Sequence, residues 1–397
     1  MHPKIKRILS IVVGVLVLAI LALFIYAYFD SRSTGGTVTD SIRNIFPTTT
    51  DTVVTPPDNT NTTPDNTTIG TSTPPTVDLY TSRLIPISME RTSGSFMYST
   101  STVRYIDTAA GHIYDFDLNT RTAKQVTYTS IPAIYDSYWI NKKQFIARYL
   151  DTDNNTTIRS ILATIDEEKA SVSTATLPDD ITNVVIGDKG QIYYTYITIT
   201  GRTMGVRYDM EKDTSTTLFE LPVSEITLFW HNNDLYGYEN PSAYSTGNVF
   251  NIQNGIFTYV YGPLQGLSAH SISDTEIVIT GEGRSIVLNT EDNTTTNLSL
   301  PVLAEKCLSI VSTTYCGYQK NNYTPMPDLW YQGVVSFNDG LYGFQGSQNY
   351  LEYDFSFAEA VIDMVGPYNS PDSNYVILQN KKDNSLWALS METSIQR

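Results

Sequence analysis

The sequence predicts an all-β fold, a seven-bladed β-propeller preceded by an N-terminal transmembrane helix and a disordered linker. Two observations predict the propeller. A polar turn followed by a short run of apolar and aromatic residues recurs seven times, around Thr100, Lys142, Asp188, Asn233, Asp274, Thr313 and Asp372. The steps are about 45 residues, apart from a last one of about 60, which is the period of a propeller blade. In phase with this series runs a second, in which a strand ends in a polar turn, as in HIYDFDLNTRTAKQV and GVRYDMEKDTSTTL. Two hairpins per period make four strands, and four-stranded units at that spacing are blades. The third observation is the N-terminus, where a long apolar run is followed by a segment too polar to fold.

Residues 1–30 read as a short cytoplasmic N-terminus and a membrane anchor. The apolar run 8–29, at about 1.5 Å per residue, reaches roughly 33 Å, enough to cross a bilayer. Lys4, Lys6 and Arg7 precede it and Asp30 follows, which places the N-terminus in the cytoplasm and the rest outside the cell membrane. Ala27, Tyr28 and Phe29 offer no small-residue cleavage site, so the run reads as an uncleaved anchor. Residues 31–82 are dominated by Thr, Pro, Asn, Asp and Ser. Such a segment lacks the apolar groups that would offset its ordering entropy, and it reads as a flexible tether. The sequons at Asn61, Asn66, Asn154, Asn155, Asn293, Asn297 and Asn322 would accept glycans only in a host with that machinery.

Residues 83–397 form the propeller. The last repeat provides only three strands, while RLIPISM, beginning at Arg83, precedes the first repeat without a partner. The expectation is that this segment pairs with the strand near Leu386 to Ser390 and closes the ring, leaving no exposed edge. Cys307 and Cys316 lie on facing strands of the sixth repeat. They are directly opposite and can bond if the turn is centred between Val311 and Ser312, and diagonal if it is centred one residue later.

The formal net charge of -16 disfavours nucleic acid and anionic lipid as partners of the folded part, since both would be repelled. His2, His112, His231 and His270 stand at no ligand spacing, and no nucleophile elbow is present. DTDNN, from Asp151, imitates the start of a calcium loop, but Thr156 replaces the glycine and Leu162 the terminal glutamate. No P-loop or dinucleotide fingerprint occurs. Neither a metal nor a cofactor is expected.

The insertion in the sixth repeat, residues 319–339, is where the period breaks. Extra residues in a blade become a loop on one face of the ring, and Asp328, Trp330, Tyr331 and Gln332 supply two aromatic anchors beside a carboxylate and an amide. These four are the candidate binding residues. The competing expectation is that Trp330 and Tyr331 fold back and pack the loop against its own blade.

Ser370, Pro371, Asp372 and Tyr375 resemble the S-P-D-G-x-Y pattern of the WD40-like repeats in TolB-type propellers, with Ser373 and Asn374 in place of the usual glycine. STVRYIDTAAGHIY, EKCLSIVSTTYC, PDLWYQGVVSFND and NKKDNSLWAL resemble a group of uncharacterised, membrane-anchored extracytoplasmic propellers of small-genome bacteria. The resemblance spans the propeller and includes the anchor and linker. It implies fold and location and carries no activity with it. The function expected is non-catalytic binding, or scaffolding, of an envelope or extracellular protein or glycan. The alternative is a polysaccharide hydrolase or lyase with paired carboxylates at the channel mouth.

Overall fold

The computed structural model describes residues 82–131, 133–151, 157–222, 225–319, 326–358 and 361–391. The expected anchor at 8–29 and the linker up to residue 81 lie outside these. Among the described residues no helix is long and apolar enough to cross a membrane.

The described strands form seven four-stranded antiparallel sheets, one per repeat. Blade one covers 92–125, blade two 134–176, blade three 181–221, blade four 226–265, blade five 268–298 and blade six 307–354. Blade seven covers 364–390 and takes its outermost strand, Leu84–Ser88, from the other end of the chain. That strand pairs with Leu386–Ser390, with Leu84 opposite Leu389 and Ile85 opposite Ala388, and closes the ring as the unpaired RLIPISM segment predicts. Against expectation edges remain, since each four-stranded sheet ends in an outermost strand with no further partner strand. Each first strand is innermost and each fourth outermost. The seven turns singled out in the sequence each join a first strand to a second.

Middle strands of the blades read as nearly continuous apolar runs rather than alternating ones. In Glu276–Gly281 every residue after the first is buried, and in Tyr375–Asn380 three consecutive aliphatics are. A blade is sandwiched by neighbours on both faces, so both sides of its middle strands must be apolar. The buried apolar residues accordingly form seven clusters, each between two adjacent blades. Hairpins close on left-handed turn residues such as Asn232 and Asn233, or Asn254 and Gly255. Two positive φ values in succession match the strand twist, and Asn and Gly reach them most readily.

In blade six Ile310 pairs with Thr313 and Cys307 with Cys316, so the turn is Val311 and Ser312. The two sulfurs are joined in a disulfide, with Cα atoms 4.1 Å apart.

This topology separates the connections. Turns within each hairpin open on one face of the ring. The loops from second to third strands, and the links between blades, open on the other, called here the link face. The insertion is a second-to-third-strand loop and lies on the link face.

Candidate functional site

The insertion crosses from blade six towards blade four and is fastened at both ends of its short helix, Asp328–Tyr331. The Asp328 carboxylate accepts hydrogen bonds from Ser242 Oγ (2.9 Å) and the Ala243 amide (2.6 Å), both in a blade-four loop. Met326 and Pro327 pass against the blade-four to blade-five link. A Cβ on Gly266 there would meet Pro327 Cδ at 2.9 Å, and Gly266 has φ of +68°, so both space and backbone demand glycine.

Trp330 is buried, with only 2% of its surface exposed. Its indole N–H donates to the Asp363 carboxylate at 3.1 Å. Lys306 and Lys381 lie against the ring with Nζ 5.3 and 4.8 Å from its centroid, and Lys381 also donates to the Trp330 carbonyl (2.8 Å). Beneath it Lys306 Nζ donates to Asp339 and Asp363, each at 2.6 Å. The three side chains are essentially dry, 0–1% exposed. Backbone amides complete the carboxylates' shells: Met364 donates to Asp339, and Phe337 to Asp363. Burial pushes Asp339 above the ordinary carboxylate range while Lys306 pulls it back. The arrangement locks the insertion into the seam between blades six and seven.

Tyr331 is 37% exposed, and its hydroxyl donates to Glu305, to which Tyr238 also donates at 3.4 Å. Burial raises the Glu305 pKa, and its second oxygen, Oε2, is buried without a partner. Gln332 is exposed, and its backbone N–H donates to the Asp328 carbonyl (2.9 Å). Of the four candidates, Asp328 and Trp330 therefore hold the loop in place, whereas Tyr331 and Gln332 reach the surface, with Val334 beside them.

Under the insertion lies a cavity of about 580 Å³ that the sequence did not reveal. Its walls are mostly apolar, including Val302, Leu303, Met326, Pro327 and Phe337, with Lys306, Thr280 and Gln319 also facing it, and Gln265, Glu282 and Arg284 line it as well. Glu282 and Arg284 form a half-exposed pair at 3.3 Å. That volume and mixture suit a small-molecule group or a partner's side chain. The contributing loops of blades four and five carry no binding motif. The repeat phase could have located them, since the same point in each period falls on the link face.

The described histidines sit within strands or next to them. His231 is buried between Ser271 (2.9 Å) and Thr290 (2.8 Å), with its pKa lowered by burial, and burial pushes His270 down to about 4. His112 meets Ser130 at 3.3 Å, and His2 lies outside the described residues. Asp151 holds Arg159, and the rest of DTDNN lies outside the described residues. Among the described residues no group of three or more His, Cys, Asp or Glu could hold a metal ion.

No protein-family model matches the chain, and no curated protein matches it. Solved structures do. The extracellular domain of a hybrid two-component system from B. thetaiotaomicron aligns with a TM-score of 0.52 at 10% identity, over 77% of this chain and 39% of that one. The chain thus spans about two fifths of that neighbour. An oligogalacturonate lyase in complex with manganese aligns with a TM-score of 0.50 at 12% identity, over 78% of this chain and 91% of the lyase. TolB from Acinetobacter baumannii aligns with a TM-score of 0.41 at 9% identity, over 73% of this chain and 63% of TolB. At such identities the likeness shows the propeller fold alone.

Proposed function

We propose that the chain is a membrane-tethered extracytoplasmic propeller that binds an envelope or extracellular protein or glycan without transforming it, and that the cavity under the insertion is the contact site. The observation that carries this reading is the cavity's composition. It joins a mostly apolar wall to a few polar groups, while the nearby carboxylate pair, Asp339 and Asp363, is turned inward onto Lys306. Hydrolysis of a glycoside calls for two carboxylates flanking the substrate, and dry carboxylates held on a lysine do not reach one. The anchor at 8–29 and the tether at 31–82 belong to the same proposal, as does kinship with the uncharacterised membrane-anchored propellers of small-genome bacteria. A propeller within an extracellular domain is compatible with it.

The test fills the cavity from a wall that is not part of the lock. Leu303→Trp, with Arg284→Glu at the rim, is compared with wild type by capture from envelope extracts, by glycan array and by thermal melting. Loss of captured species, by roughly tenfold in affinity or about 1.4 kcal/mol, at unchanged melting temperature supports the reading. Equal recovery by both variants refutes the cavity as the site. Product release from polysaccharides by wild type, abolished in Leu303→Trp, would favour the enzyme instead.

A further inference from the structure

The outer edges of propeller blades are sheet edges with unpaired backbone groups, and they are ordinarily guarded by charge, proline or shortness. Most edges here are guarded. The outer strands of blades one and five have four residues each, and Lys124 stands on the first. Glu220 is on that of blade three, Glu352 and Asp354 on that of blade six, and Pro86 on that of blade seven. That of blade two, Ser171–Thr176, is uncharged but made of small residues and Val172.

Blade four differs. Its outer strand, Ile256–Gln265, bulges at Val260 and carries Pro263 towards its far end, but it begins IFTYV, five residues of high β-propensity with no charge, proline or glycine. Such a segment on an open edge pairs with other strands. Ile256 is 70% exposed and Tyr259 56%. The neutrality extends beyond the strand, since no Asp, Glu, Lys or Arg occurs anywhere from Asn240 to Ser273 in a chain of net charge -16.

We infer that this strand is a self-association edge, at which a second copy of the chain adds its own IFTYV stretch antiparallel, with Thr258 of each copy facing its twin at the two-fold axis, to form a continuous eight-stranded sheet. Antiparallel pairing of one strand with its twin is self-complementary, as a two-fold interface requires. Charge selects a twin over a dissimilar partner: two copies repel each other over most of their surfaces, and an uncharged strip is where that repulsion is least. A cationic partner would gain nothing from this strip and would be steered elsewhere. The segment lies at the hairpin end of the strand, whereas Gln265 at the other end borders the cavity, so pairing here and binding there can be tested separately.

The experiment uses the full chain in mild detergent. Mass photometry across a concentration series reads the dimer, and Thr258→Lys places two like charges in the paired strands. The expected result is a dimer whose dissociation constant rises at least roughly tenfold in Thr258→Lys at unchanged melting temperature. In parallel, Thr258→Cys is expected to give an intermolecular disulfide on mild oxidation, whereas Lys124→Cys on the outer strand of blade one is not. A wild-type chain that stays monomeric, a dimer indifferent to Thr258→Lys, or equal cross-linking from both cysteines would overturn the inference.

Discussion

Two parts of the ring solve one problem, a buried cation between blades, in different ways. In blades one and two the cations are arginines. Arg104 reaches Asp115 in its own blade (2.7 Å) and Glu167 (2.8 Å) and the Lys142 carbonyl in the next, while Arg148 holds Asp136 (2.9 Å) and the Ile181 carbonyl of blade three. Their carboxylates stay partly wet, at 21%, 32% and 27% exposure. In blades six and seven Lys306 holds Asp339 and Asp363 in a dry seam roofed by Trp330. A guanidinium offers five donors in a fixed fork and can span several acceptors near the surface, whereas an ammonium is a compact point charge. The difference teaches that the insertion is a structural addition as well as a surface one: its tryptophan covers carboxylates that the arginine clamps leave partly exposed.

The contrast is broken most severely at Lys306. Lys306→Met leaves two buried carboxylates without a counter-charge, and a loss of about 3–5 kcal/mol in denaturant unfolding is expected; a loss below about 1 kcal/mol would mean that water reaches the seam. Trp330→Ala removes the roof and an Asp363 donor, with an expected cost of about 3 kcal/mol. In a double-mutant cycle with Asp363→Asn it should be non-additive, and simple additivity would separate the ring from the lock.

The disulfide sharpens the comparison, because it braces the inner hairpin of the same blade. Its sequence separation is nine residues, so replacing Cys307 and Cys316 by Ala is expected to cost at most about 2–3 kcal/mol in the chain-entropy view. Labelling of both thiols in unreduced, folded protein would show that no bond forms. Arg104→Met should cost less than the lysine change, about 1–2 kcal/mol, since its partners can turn to solvent.

The smallest effect is a pH dependence at the Arg148 clamp. Burial raises Asp136 from 3.8 to about 6 against the opposing pull of Arg148 and Tyr138, and its Oδ1 has no partner. A carboxyl group raised on folding contributes stability that is fully present below its unfolded value of 3.8 and is lost as pH climbs through about 6. Between about pH 4 and about pH 7 the unfolding free energy of wild type should fall relative to that of Asp136→Asn, by no more than about 2 kcal/mol. A wild type that gains on Asp136→Asn over that range would show that Arg148 dominates the site.

Much of the fold was legible because a propeller repeats. Each turn such as Ser370-Pro371-Asp372 marks the same point of a blade, and the strand at Arg83 was recognisable by having no partner of its own. The insertion was legible for the opposite reason, as the one break in the period. Its inner part was not. Sequence distinguishes an aromatic residue from a polar one, but whether Trp330 faces solvent or a seam depends on Lys306, Asp339, Asp363 and Lys381, which lie in separate loops and meet only when the ring closes.

By itself, then, the sequence determined the blade period, the four-strand content of each unit and the terminal strand that completes blade seven, because local turn chemistry and apolar runs act over a few residues. It also determined the neutral stretch around Ile256, since charge is a property of composition. Only the tertiary structure decided that Trp330 and Asp328 hold the insertion while Tyr331 and Gln332 reach the surface, and that loops of blades four, five and six enclose a cavity. Those outcomes depend on distances between residues far apart in the chain, which are set by how seven sheets pack around one axis.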